Sequence, residues 1–439
     1  MVAVSSAEEK QLMSKIGKNI LPYIILLDII AMIDRVNVGF TALTMNKELG
    51  ISASAFGLIA GIFFITYFFF EVPSNVIMYK VGARKWITRI LITWGLVVIF
   101  EGFIRSAFQL GFLRALLGIA EAGFYPAMIL YITYWFPGKH QARAVSYLML
   151  AVCGSNIIGG PISAFIMDHV TWFGISGWRW VYILEGLPAV VFGVITYFVM
   201  VDKPEDARFL TDKEKEWLIN ELENERIAKE KKVHSQASAW SVLKVPRVWH
   251  MGICYMAYVM ALYGVGFWMP QMIKELSKVL STTQVGLLSS IPYIVASVVM
   301  LLVAHHSDKT KERRFHVAFP ILMTFIGLIA LTMTSNLTLS MVLLTIALSG
   351  VYAFGGTFWT IPNLTLCAAN AAVGIALINS VGNLGGFVGP YFVGWLKDFT
   401  GSTNAGMYML AGCALLETFL ILVIPKNLVT PPGLEKSKH

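Results

Sequence analysis

Runs of eighteen or more apolar residues recur along almost the whole of this chain, and each is long enough to cross about 30 Å of hydrocarbon. A bilayer interior leaves no water for exposed peptide groups, so only helices and closed barrels can span it. A barrel would be written as alternating segments of about ten residues, and the sequence contains none. An all-α membrane protein follows. Twelve spans are expected: 20–40, 54–79, 86–104, 108–136, 142–167 and 179–201, then 249–273, 283–305, 316–335, 339–362, 371–396 and 406–425. Only 14% of the 439 residues are charged, against about 25% in soluble chains.

The formal charge of +8 does not point to nucleic acid, because the basic residues gather in short loops, as the positive-inside rule requires. Lys80, Arg84 and Lys85 follow the second span, Lys139 and Arg143 the fourth, and Lys309, Lys311, Arg313 and Arg314 the eighth. Alternate loops, such as Lys47-Glu48 and Asp168-His169, carry less. Loops after even-numbered spans, and both termini, are therefore expected in the cytoplasm. The polar start, Met1 to Lys18, lacks the short apolar core and small-residue site of a cleaved signal, so the first span acts as the insertion signal. Cys153, Cys254 and Cys413 fall within apolar spans and Cys367 between two of them, and the four have neither metal spacing nor a disulfide framework.

The spans divide into two sets of six, residues 1–201 and 248–439, around the one long polar stretch, 202–247. In that stretch Thr211-Asp-Lys-Glu214 reads as a capping box, in which the Thr side chain caps the helix start and Glu reaches back. Trp217, Leu218 and Leu222 give it a weak apolar face, so a surface helix running to about Lys232 is expected, then a flexible connection. The loop from Asn75 to Lys85 is echoed by the loop from Ala304 to Arg314, each after the second helix of its set. Parallel six-helix halves suit a transporter that rocks around a central site.

These two loops resemble the cytoplasmic G-x-x-x-D-R-x-G-R-R/K motif of the major facilitator superfamily. The first departs from it at Asn75 and Tyr79, and the second keeps Asp308 without the usual Gly. The segments Ile33 to Met45, Glu71 to Asn75, Leu113 to Pro126, Gly177 to Pro188 and Gly394 to Gly401 are similar to those of the anion:cation symporter family, and most of all to its bacterial tartrate, phthalate and 4-hydroxyphenylacetate permease branch. The resemblance covers essentially the whole chain. It implies the major facilitator fold, two pseudo-symmetric six-helix bundles, and import of organic anions with protons.

Charge inside the spans marks the candidate site, because a charged side chain at mid-bilayer costs at least a few kcal/mol. Arg114 and Glu121 are seven residues apart, which sets both on one helix face, two turns apart. One reading makes Arg114 a carboxylate clamp and Glu121 a proton carrier; the other makes them an interhelical ion pair that locks one conformation. Asp34 and Arg35 are adjacent and so point about 100° apart, one split turning Arg35 to a central cavity and Asp34 to a neighbouring helix. The resemblance implies that Arg35 and Arg114 hold the anion, that Glu121 and Asp34 serve proton coupling, and that Tyr67, Trp359 and Asn379 contact substrate. By the same resemblance Arg84, Asp308 and Arg313 belong to the structural and gating loops. The alternative for Tyr67, Trp359 and Asn379 is ordinary core packing.

No Walker-type loop, His/Cys metal cluster or Ser-His-Asp arrangement is present, so the chain is not read as an enzyme and no cofactor or metal is expected. The reading is a proton-coupled symporter for a small organic carboxylate, multi-pass in the cell inner membrane and working as a monomer. Its partners are the anion, the proton and the lipid bilayer, with no nucleic acid. An exchanger or exporter on the same fold, and a transporter-like receptor without flux, are the rivals.

Overall fold

The computed structural model describes residues 6–233, 242, 244–365 and 368–425; Cys367 and the chain beyond 425 lie outside them. The first span is Ser6–Leu49, a helix of 44 residues. The second is Ala53–Val81 and the third Ala83–Glu101. The fourth is two helices, Ala107–Glu121 and Phe124–Thr133. Gly138–His169 is the fifth and Gly177–Val199 the sixth. After the linker helix, Asp212–Val233, come the seventh, Pro246–Leu276, the eighth, Thr282–Thr310, and the ninth, Arg314–Leu331. The tenth is Leu337–Phe358 with Thr360–Thr365. The eleventh is Ala368–Asn383 with Gly385–Thr400, and the twelfth is Thr403–Val423.

Among the described residues, eleven segments are long and apolar enough to cross a membrane on length and composition. Ala83–Glu101 completes the twelve. Arg84, Lys85 and Arg89 at its start and Glu101 at its end dilute its apolar content. It is held instead by packing: a β-carbon at Gly95 would lie 2.9 Å from Gly186 O, and one at Gly186 would lie 2.9 Å from Gly95 O. The third and sixth helices thus meet backbone to backbone, which small residues permit.

The two halves meet at the end away from the linker. A β-carbon at Gly57 would strike the Pro390 carbonyl, and one at Gly286 would lie 2.8 Å from Gly160 O. The second span therefore seats on the eleventh, and the eighth on the fifth. Past mid-helix these contacts stop. The second span buries a near-continuous set from Phe56 to Tyr67, then only Ser74 and Met78. The eighth buries Val285 to Ala296, then only Ser307. The same loss of cover in the matching helix of each half means that the halves part toward the linker side.

Two carboxylates fasten the closed end. Asp398, from the eleventh span, accepts hydrogen bonds from the amides of Ala53 (3.1 Å) and Ser54 (2.7 Å) at the start of the second. Asp168, from the fifth, accepts from the Thr283 amide at 2.6 Å and its hydroxyl at 2.8 Å at the start of the eighth. A carboxylate on a helix N-terminus is favourably placed against the free amides and the helix dipole.

On the linker side, residues at the helix ends tie each half to itself. The Arg84 amide donates to Asp202 at 2.7 Å, with the guanidinium 3.9 Å from the same carboxylate. Arg313 pairs with Asp308 at 2.7 Å. The capping box is formed, Thr211 N donating to Glu214 Oε2 at 2.7 Å and Glu214 N to Thr211 Oγ1 at 3.4 Å. Lys15 also pairs with Glu214 at 2.7 Å, fixing the linker helix to the extended start of the first span. Burial raises the Glu214 pKa, but Lys15 and the Thr211 amide outweigh it and hold the group below its ordinary value.

Candidate functional site

The first span carries Asp34 and Arg35 into the interior, and the 100° between neighbours sends them apart. Asp34 is 1% exposed and accepts from the Trp94 indole at 2.7 Å, on the third span. Arg35 turns to the seam between the halves. It forms an ion pair with Glu121 of the fourth span and lies 3.5 Å from the Tyr263 hydroxyl of the seventh. Its guanidinium lies over the Phe63 and Tyr67 rings, 5.1 and 5.5 Å from their centroids, a geometry in which cation–π attraction adds to the ion pair. Tyr67 is buried here, and the Phe64 ring approaches Tyr263 to 4.4 Å from the other side of the seam.

Glu121 is the last residue of its helix. Ala122 leaves helical geometry with ψ of 129°, and Gly123 follows at φ of 84° before the chain resumes at Phe124. That left-handed φ favours glycine, and a β-carbon there would also lie 2.6 Å from Ser74 Oγ. The break was not expected from the sequence, although Gly123 and Pro126 within an apolar run were its visible signal.

Arg114 and Glu121 both point inward, yet they take different partners. Arg114 is 2% exposed, with Nε 3.3 Å from Glu101 Oε1 and Nη2 donating to Asn37 at 3.3 Å. Asn37 donates in turn to Glu185 at 3.1 Å, and Ser163 donates to the other Glu185 oxygen at 2.7 Å. This network joins the first, third, fourth, fifth and sixth spans. In this conformation Arg114 is committed inside one half, whereas Arg35 faces both.

The second half presents rings instead. Tyr255 stacks on Phe358 at 5.4 Å and 14°, approaches Trp359 at 4.8 Å, and stacks on Tyr258 at 5.4 Å. Trp359 is half-buried where the tenth span changes helix, between Phe358 and Thr360. Asn379 is half-buried in the eleventh. Arg84, Asp308 and Arg313 lie away from this cluster, at the linker-side ends of the third, eighth and ninth spans rather than in loops. Among the described residues, no group of three or more His, Cys, Asp or Glu is placed to hold a metal.

The family model described as Major Facilitator Superfamily matches residues 24–390. The chain belongs to the major facilitator superfamily. This major facilitator protein is 42% identical to a putative tartrate transporter of Agrobacterium vitis, over 97% of each chain, the branch its motifs resemble. It is 35% identical to a quinolone resistance transporter of Acinetobacter baumannii, over 95% of each. Its fold matches an inward-facing, occupied structure of a bacterial homologue of the human lysosomal transporter Spinster, with a TM-score of 0.73 and 17% identity over 92% of this chain and 95% of that one. It is therefore a transporter of the major facilitator type, a multi-pass membrane protein and not an enzyme.

Reading the sequence for paired charges missed part of this interior. Asp28, Glu101 and Glu185 are each buried within the first half, and Glu417 is wholly buried in the twelfth span. Each is a lone acid in an apolar run, and that was the available signal.

Proposed function

We propose that this transporter imports a small organic carboxylate together with protons, by rocking its halves about the seam at Arg35. The observation that carries the reading is the pairing of Arg35 with Glu121 beside Tyr263 of the opposite half. A guanidinium fork that binds a carboxylate of the protein can bind one of a substrate. While Glu121 is ionised it competes for that fork. A proton on Glu121 removes the competitor and frees Arg35, so anion and proton load together. Binding both also keeps the occupied site near neutral, which lowers the cost of moving it through low dielectric.

In this reading Asp34 is a second coupling carboxyl, held on the Trp94 indole. Arg114 joins the anion site only by exchanging Glu101 for substrate. Tyr67 offers a hydroxyl to the anion, while Trp359 and Asn379 read the end of the substrate that carries no carboxylate. Arg84, Asp308 and Arg313 steady the loops that must part and meet as the linker side opens and closes. The protein resides in a bacterial inner membrane as a monomer, with both termini and the linker in the cytoplasm, an orientation supported by the basic loops on that side.

The test begins with a thermal-shift screen of the purified protein against a carboxylate library, since a ligand stabilises the state it binds. Proteoliposomes then follow uptake of the best hit. An inward proton gradient is expected to drive accumulation, and a protonophore to abolish it. Glu121→Gln is expected to bind and exchange substrate but not concentrate it. Accumulation driven by Na⁺ at constant pH, or wild-type accumulation by Glu121→Gln, sinks the proton assignment. A second reading, export on the same fold, is favoured by the relative named as a quinolone resistance transporter; proton-driven efflux of the same compound from loaded vesicles, without uptake, would select it.

A further inference from the structure

The first span holds a third charged position that the site above does not use. Asp28 is wholly buried, and neither carboxylate oxygen has a hydrogen-bond partner among the described residues. A buried carboxyl without partners stabilises nothing; it costs several kcal/mol if ionised and less if it holds a proton. Its place along the helix gives it a use. Asp28 precedes Arg35 by seven residues, so the two share a face of the first span. It is displaced by about 10 Å toward the linker side, where that helix begins.

The fourth span runs the other way, and beyond its break it carries Tyr125 toward the same side. The titratable and charged groups acting on Asp28 are Arg35 on its own helix and Glu121 and Tyr125 on the fourth span. Tyr125 is half-buried and also within electrostatic reach of Tyr255 in the other half, so it borders the gap that widens toward the linker. Glu121, Tyr125 and Asp28 therefore form a descending series of proton-bearing groups from the seam to the linker side.

We propose that Asp28 is a further proton-binding site, the step by which a proton from Glu121 leaves toward the linker side. The proposal rests on the proton-coupled reading of Glu121. No hydrogen bond joins Tyr125 to Asp28, so the proton passes from the Glu121 carboxyl through bridging water and the Tyr125 hydroxyl, which gives up its own proton as it takes the incoming one. The Asp28 carboxylate receives it and later releases it to water. Glu121 is left ionised and closes again on Arg35, which expels the anion on the same side.

Infrared difference spectroscopy of the lipid-reconstituted protein between mildly acid and mildly alkaline buffer tests this with the proton itself as the probe. Among the exchanging carboxyl signals, one is expected to be absent in Glu121→Gln and a different one in Asp28→Asn. If Asp28→Asn leaves the spectrum unchanged, Asp28 binds no exchangeable proton and the proposal falls. If Glu121→Gln leaves it unchanged, the coupling reading falls first. After a pH jump, deprotonation of Glu121 is expected to slow by roughly 10²-fold in Asp28→Asn, the lower end of what a positioned proton acceptor contributes, and to recover in Asp28→Glu. An undiminished rate overturns the relay. Thermal unfolding separates a packing role: Asp28→Asn is expected to keep or raise the melting temperature, and a large fall with no recovery in Asp28→Glu counts against the proposal.

Discussion

The two halves share one architecture and fill it in opposite ways. The first encloses Asp28, Asp34, Glu101, Glu121 and Glu185 with two arginines. The second stacks Tyr255, Tyr258, Phe354, Phe358 and Trp359, with Glu417 its one wholly buried acid among the described residues. Where the halves touch, the difference vanishes: each offers a small-residue face and a carboxylate cap to the other. Closure of the far end is thus a property of the shared framework, and chemistry at the seam is a property of what each half buries. A charged interior can respond to protons and anions, while an aromatic one can only select by shape and surface.

The largest expected effect falls on the shared part. Gly57→Leu drives a side chain into the Pro390 carbonyl, and Gly286→Leu does the same against Gly160. Each should prevent closure of the far end and abolish uptake, with longer distances across that end by spin-label spectroscopy. If one substitution is tolerated and the other is not, the two contacts are not equivalent. Next comes the interior. Arg114→Gln leaves Glu101 buried without its partner and should cost about 3–5 kcal/mol in thermal or denaturant unfolding, with much of the loss recovered by adding Glu101→Gln. Tyr258→Phe in the aromatic half should cost no more than about 1.5 kcal/mol. Equal losses in the two halves would erase the contrast.

A smaller effect tests the caps. Asp168→Ala and Asp398→Ala should each weaken the closed end by about 0.5–2 kcal/mol, in the range of helix-capping changes, and their effects should add because the sites are separate. The spin-label populations of closed and open protein measure both. The smallest effect lies outside the membrane. Glu214 is held below its ordinary pKa in the folded protein. Its pairing with Lys15 therefore contributes fully above the unfolded value and is lost as pH falls through the folded one. Hydrogen exchange in the linker helix should rise on acidification below about pH 4, and Lys15→Met should remove most of that response. An acid response unchanged in Lys15→Met would assign it elsewhere.

Much of this molecule was legible in its sequence. The apolar runs gave the spans, and Thr211 with Glu214 marked the linker helix. The adjacent pair Asp34-Arg35 pointed, by the turn of one residue, to two different environments. What was not legible depends on which helices become neighbours. Seven-residue spacing correctly put Arg114 and Glu121 on one face. Nothing in it could say that the third span would bring Glu101 to Arg114 and the first would bring Arg35 to Glu121. The break after Glu121 escaped for a related reason, since an apolar run reads as continuous until Ser74 of another helix crowds Gly123. The eleventh span likewise read as one segment, 371–396, but is two helices meeting after Asn383.

The twin caps carry a mechanical consequence. Asp168 reaches from the first half to the second, and Asp398 reaches back in the same manner. This is the arrangement of an isologous interface, in which patch meets counterpart across a two-fold axis, realised within one polypeptide. A joint of that kind has no leading edge. Tilting the halves to release one cap loads its twin through the same rigid helices, so the far end yields as a single concerted event.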